Sequence, residues 1–118
     1  LNVDDLQLSL EHLIEKNASF CYPVMEYPHP VQRSLRFSGE GFLQFVESEN
    51  ELIPTQNFET LVHDAGQFYW AAVSDWINGR KMHTYNAVGY KIPSWRVVDI
   101  DTEDDWVRAE LIHELLKL

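Results

Sequence analysis

An α/β fold is what this sequence predicts, and three observations predict it. A helical apolar period near the N-terminus runs into a short aromatic, β-prone segment. Two alternating runs in the middle flank a glycine-bearing turn, the signature of a hairpin. Near the C-terminus an apolar run ends where a final helix can begin, and acidic residues crowd that junction.

Asn2 is placed to cap a helix whose apolar positions Val3, Leu6, Leu10, Leu13 and Ile14 recur at helical spacing, with Asp4 and Asp5 in the first turn and Asn17 as its stop. This helix is expected to pack on a sheet. Ser19 to Met25 reads as a strand, which Pro23 should confine to an edge or cut short. After Pro28-His29-Pro30, the runs Val31–Phe37 and Phe42–Val46 enclose Ser38-Gly39-Glu40-Gly41 as a hairpin. Its apolar side chains on both strands call for a cover, such as a second subunit. Gln32 and Arg33 on the first strand can meet an acidic ligand, although exposed Gln and Arg are ordinary on a solvated strand face.

Residues 47–61 read as a loop with one helical turn near Phe58. Then His63-Asp64-Ala65-Gly66-Gln67 leads into the aromatic run Phe68-Tyr69-Trp70, read as a strand. Gly66 permits a close backbone approach, and His63, Asp64 and Gln67 can line a pocket. A His beside an Asp is more often a turn with a satisfied imidazole than a catalytic pair, and no nucleophile is spaced to suit a triad. Val73 to Asn78 reads as a short helix capped by Ser74 and stopped by Gly79, and Asn86 to Pro93 as a strand.

Val97 to Ile100 has the composition of a buried strand interrupted by Asp99, and Thr102 with Asp105 forms a capping-box pattern. The capping pattern explains Glu103, Asp104 and Asp105, since negative charge is favoured in a first helical turn. Asp99 and Asp101 are different. Two residues apart in an extended segment, they point the same way and offer a hard cation such as Mg²⁺ two carboxylates. The final helix carries Val107, Leu111, Leu115 and Leu118 on one line, with Trp106, Ala109, Ile112 and Leu116 beside it, which reads as core.

With 118 residues, 45% of them hydrophobic, the chain is one globular domain at most. Nine Lys and Arg against 19 Asp and Glu, with no basic stripe, argue against a nucleic-acid partner. No apolar run approaches the roughly 20 residues of a membrane span. A single cysteine, Cys21, cannot form an internal disulfide, and a cytoplasmic location is expected. The chain starts at Leu1 without a charged-then-apolar leader, which leaves room for a natural start upstream.

Three strings taken together resemble one family: His63-Asp64-Ala65-Gly66-Gln67-Phe68-Tyr69-Trp70, Asp99-Ile100-Asp101-Thr102-Glu103-Asp104-Asp105-Trp106 and Tyr27-Pro28-His29-Pro30-Val31-Gln32-Arg33-Ser34-Leu35. They look like the C-terminal half of the pseudaminic acid cytidylyltransferases, relatives of the CMP-sialic acid synthetases. The resemblance implies a nucleotide-diphospho-sugar-transferase-like, Rossmann-like α/β sheet, with residues 1–118 as a single domain or fragment and residues 28–47 as a protruding dimerisation hairpin. It implies an enzyme that joins CTP to a nine-carbon acidic sugar, pseudaminic acid, releasing pyrophosphate with Mg²⁺ as cofactor. Asp99 and Asp101 then match the catalytic, metal-holding carboxylates. Gln32 and Arg33 fall on the homodimer hairpin, and Gln67 and Tyr69 on the sugar side of the cleft. Sialic, legionaminic and 3-deoxy-octulosonic acids are the competing sugars. The chain departs from the pattern in holding no glycine-rich, Arg/Lys-bearing loop to cradle the triphosphate, so these 118 residues alone are expected to be inactive. The alternative is a non-catalytic remnant that dimerises and serves as a sugar-binding or interaction module.

Overall fold

Asn2 does open the first helix: its side chain accepts the Asp5 N–H at 2.8 Å, and α1 runs Val3–Glu15. The chain leaves it through Asn17 in a left-handed turn, φ +48°. In the computed structural model, which describes residues 1–117, the strands that follow are β1 (Phe20–Glu26), β2 (Leu35–Phe37), β3 (Leu43–Phe45), β4 (Val62–Asp64), β5 (Trp70–Ala71) and β6 (Ala87–Lys91). Between β5 and β6 lies the short helix α2 (Val73–Ile77), and α3 (Glu103–Leu116) closes the chain. The result is a mixed α/β molecule in two compact units: Leu1–Met25 with Asp64–Leu118, and Glu26–His63.

In the first unit β1 is the spine. β5 and β6 both pair with it in one sheet. β6 runs parallel to it, with Tyr22 opposite Gly89, and β5 antiparallel, with Cys21 opposite Trp70. A strand's carbonyls alternate between its edges. The Ala72 N–H on Ser19 and the Ala65 N–H on Pro23 therefore lie along one edge, and the Ile92 N–H on Val24 along the other. Pro23 was expected to push this strand to an edge, yet it is fully buried in the middle. The donor it lacks faces the stretch where β4 has ended and β5 has not begun, so no ladder bond is lost. Phe20 and Cys21 are wholly buried beside it, and burial pushes the Cys21 thiol up to about 11. Ala65, Ile92 and Val97 form a small core against Met25 and Tyr90.

The face α1 turns to the sheet is polar, not the leucine stripe alone. Val3 and Ile14 are 74% and 67% exposed, whereas Asp5 and Ser9 are buried. Trp70 Nε1 donates to Ser9 Oγ and to the Leu6 carbonyl, both at 3.1 Å. Asp5 pairs with Arg96 and accepts the Tyr90 hydroxyl at 3.3 Å. Burying polar groups this way requires that each find a partner, and here each does.

Three other expectations are corrected. Val97 is extended and buried, but no strand forms over Val97–Ile100, because the segment finds no ladder partner among the described residues. Ser74 sits inside α2, whose N-cap is Ala72 without a side-chain bond, although Gly79 (φ +66°) does stop that helix. The α3 stripe is not core: Trp106, Val107, Leu111, Leu115 and Leu116 are each more than half exposed, and none of the described α3 residues is buried. Leu118 of that stripe lies outside the described residues. The capping box forms as expected, with Thr102 Oγ1 accepting the Asp105 N–H and Asp105 Oδ2 the Thr102 N–H.

The second unit holds the hairpin. β2 and β3 pair antiparallel, Leu35 opposite Phe45 and Phe37 opposite Leu43. The first strand is shorter than its pattern suggested, because Val31–Arg33 coils into a 3-10 turn behind Pro30. Two further 3-10 turns, Ser48–Asn50 and Thr55–Asn57, give the following loop its shape.

Candidate functional site

The gap that Pro23 leaves between β4 and β5 is filled by the loop from Asp64 to Tyr69, and there the first unit gathers its polar side chains. Asp64 ends β4. Its Oδ1 accepts the Gly66 N–H at 2.8 Å, closing a side-chain turn that the left-handed φ of Gly66, +67°, makes possible. Its Oδ2 accepts the Tyr69 hydroxyl at 2.7 Å and faces His83 Nε2 at 3.0 Å. From β1, the Tyr22 ring lies 5.6 Å from that of Tyr69 and edge-on to His83 at 5.3 Å. The Tyr22 hydroxyl donates to the His83 carbonyl at 3.2 Å, which ties the His83 turn to the sheet. Across the turn stands Asp99, its carboxyl 3.8 Å from where a side chain on Gly66 would begin.

Charge in this cluster is set by Asp64. Partial burial pushes its carboxyl up, but the hydrogen bonds from His83, Tyr69 and Gly66 outweigh that and hold it below the usual carboxylate range. The same bond pushes the Tyr69 hydroxyl up to about 12, with burial and the Asp64, Tyr22 and Asp99 charges adding to it. Burial, and then the Asp64 charge, raise Tyr22 as well. At neutral pH Asp64 is thus a carboxylate and both phenols are neutral, and the Asp99 carboxyl and the His83 imidazole stand beside them.

Of the residues singled out from sequence, Asp64, Tyr69 and Asp99 come together here, and Gln67 follows Gly66 in the same turn, half-buried. Asp101 is exposed at the start of α3, its N–H donating to Asp105 Oδ2 at 3.1 Å. The remaining three belong to the Glu26–His63 unit. His63 packs its ring on Tyr27 at 4.7 Å. Gln32 lines a cleft of about 230 Å³ with Tyr27, His29, Phe58 and Glu59, and its Nε2 donates to the Glu59 carbonyl. Arg33 Nη1 donates to the carbonyls of Asn50, Glu51 and Ile53, and its guanidinium lies over Phe45 at 5.6 Å. The arginine holds the loop in shape, a role that a strand reading of Val31–Phe37 does not foresee.

Compared with known proteins, no protein-family model matches the chain. A pseudaminic acid cytidylyltransferase of Campylobacter jejuni is 23% identical to it over 115 residues, which are 98% of this chain and 50% of that enzyme. The similarity covers nearly all of this chain, which spans about half the length of this curated relative.

A residue of this cluster that sequence reasoning missed is His83. It lies in an aperiodic turn 19 positions beyond Asp64, where no spacing rule links it to a partner. Tyr22 was missed for the opposite reason, as an ordinary aromatic in a buried strand. Among the described residues no three His, Cys, Asp or Glu side chains cluster as metal ligands. Asp99 and Asp101 are both exposed, and Mg²⁺ in general takes one or two protein carboxylates and completes its shell with water and phosphate. Among the described residues, no helix is long and apolar enough to cross a membrane.

Proposed function

We propose that this chain is the sugar-binding, metal-carrying part of a cytidylyltransferase that joins CMP from CTP to an acidic nine-carbon sugar, pseudaminic acid first among them. The observation that carries the proposal is the similarity to a pseudaminic acid cytidylyltransferase over 98% of the chain. Geometry supports it. The loop from Asp64 to Tyr69 and the Asp99 carboxyl, which belong to two strings separated in sequence, meet around Gly66. In this reading the sheet is the nucleotide-diphospho-sugar-transferase-like one, and the hairpin of β2 and β3 is its dimerisation excursion.

The roles follow from chemistry. Asp64 and Tyr69 bind and orient sugar hydroxyls, and Asp99 and Asp101 are the residues that would hold Mg²⁺. That ion would neutralise phosphate charge where two carboxylates alone repel it. These 118 residues hold no glycine-rich phosphate loop, so the triphosphate is bound by another segment.

Amide NMR of the ¹⁵N-labelled chain tests this. Pseudaminic acid is expected to shift Asp64, Gly66 and Tyr69 with a millimolar Kd, since about 4 kcal/mol of net binding is what a few hydrogen bonds to a hydroxylated sugar supply. Mn²⁺ in place of Mg²⁺ should broaden Asp99 to Thr102. Equal shifts with sialic, legionaminic and 3-deoxy-octulosonic acids would remove the sugar assignment. Shifts with CTP alone and none with any acidic sugar would overturn the reading.

A further inference from the structure

The geometry points to His83 as the general base of the transfer: its Nδ1 takes the proton from the sugar hydroxyl that attacks CTP. This rests on the cytidylyltransferase reading above and adds to it a catalytic residue and a positioning residue, Asp64.

The argument begins with the acceptor inventory of the cluster. A transferring sugar must lose a hydroxyl proton as its oxygen meets the α-phosphorus, so the site needs an acceptor held in place. Tyr69 is spent as a donor to Asp64 at 2.7 Å, and its hydroxyl holds its proton to about pH 12. Asp64 accepts from Gly66 and Tyr69 and faces His83, which leaves a poor proton acceptor held below the ordinary carboxylate range. Asp99 and Asp101 are assigned to the cation. The imidazole remains.

Its orientation is defined from two sides. An ionised carboxylate only accepts hydrogen bonds, so His83 Nε2, 3.0 Å from Asp64 Oδ2, carries a hydrogen. In the neutral ring Nδ1 is then the lone-pair nitrogen. The backbone is anchored where Tyr22 donates to the His83 carbonyl, and the ring stands edge-on to Tyr22 and Tyr69. With its side chain 57% exposed, the imidazole is accessible to a ligand in the cluster. A carboxylate that orients an imidazole and stabilises its cation is the arrangement by which histidine serves as base in unrelated hydrolases.

The step balances without any further reactant. The sugar O–H bond breaks and its proton goes to Nδ1. The oxygen's electron pair forms the bond to the α-phosphorus, and the α–β phosphoanhydride bond breaks, so that pyrophosphate leaves with that electron pair. The imidazolium, held against the Asp64 carboxylate, then returns its proton to solvent.

Long-range ¹H–¹⁵N spectra of the histidine side chains in the 118-residue chain test the inference at two levels. In the free chain His83 is expected as the Nε2–H tautomer; Asp64→Asn should mix the tautomers while the amide spectrum reports that the fold is kept. Added pseudaminic acid should move the Nδ1 resonance of His83, and His83→Gln should keep sugar-induced amide shifts at Gly66 while losing that signal. An Nδ1–H tautomer in the free chain overturns the proposal, as does sugar binding at Asp64 and Tyr69 that leaves Nδ1 unmoved. In both cases the sugar site stands. No amide or imidazole response to the sugar at all overturns the reading of the site together with the base.

Discussion

Removing the Arg96 guanidinium should be among the most damaging single changes to this fold. Asp5 is 3% exposed on the sheet-facing side of α1, and its Oδ2 is paired with Arg96. In Arg96→Met the carboxylate keeps, among the described residues, only the Tyr90 hydroxyl at 3.3 Å on its other oxygen. A buried charge stripped of its partner costs about 3–5 kcal/mol. Against a stability of about 5–15 kcal/mol for a domain, that is about a fifth of the total or more. With a urea m-value of about 1–3 kcal/mol/M, the midpoint should fall by about 2 M. Replacing both partners behaves differently, because Asp5→Leu/Arg96→Met removes the charge as well as its partner, and the double variant should be more stable than Arg96→Met alone. Urea unfolding followed by tryptophan fluorescence and far-UV circular dichroism measures all three proteins. A loss under 1 kcal/mol in Arg96→Met, or a double variant worse than the sum of the singles, would refute the reasoning.

Gly89→Ala should destabilise by about 1–3 kcal/mol, seen as a lower Tm, because the new Cβ would lie 2.9 Å from Val24 Cγ2 and a β-branched side chain has little room to turn. The folded-state pKa of Asp64 is below its unfolded value, so its contribution to stability is present above about pH 4 and is lost as pH falls through the folded pKa. Acid titrations of wild type and Asp64→Asn should therefore diverge above about pH 4 and converge below it, and parallel curves would count against the network. Self-association through β2 and β3, where Phe37 is 77% and Phe42 70% exposed, is expected at high micromolar concentration. Sedimentation should show it weakened by Phe42→Glu, and a wild-type monomer would dismiss it.

Much of the site was legible locally. The Asp-x-Gly spacing of Asp64 and Gly66 carries its own turn, and the Thr102 and Asp105 box is written in four consecutive residues. What was not legible was pairing across distance. Asp64 meets His83, 19 positions further along the chain, at 3.0 Å, and only the fold brings the turn before β6 to that carboxylate. Arg33, read as a ligand donor, is taken up by three carbonyls of a loop whose 3-10 turns no periodicity announces.

By itself the sequence determined what depends on short-range rules: both long helices with their caps, the position of the hairpin, and the acidic junction before α3. Helical period, capping geometry and turn preference are properties of residues within four positions of one another. Tertiary structure alone decided that Pro23 lies in the central strand, where its missing donor faces a gap. It also decided that Asp5 and Ser9, rather than the full leucine stripe, face the sheet, and that Val97 is buried while α3 is left exposed. Those outcomes turn on which surfaces and hydrogen-bond partners the rest of the chain supplies, and a residue's own neighbours in sequence do not carry that information.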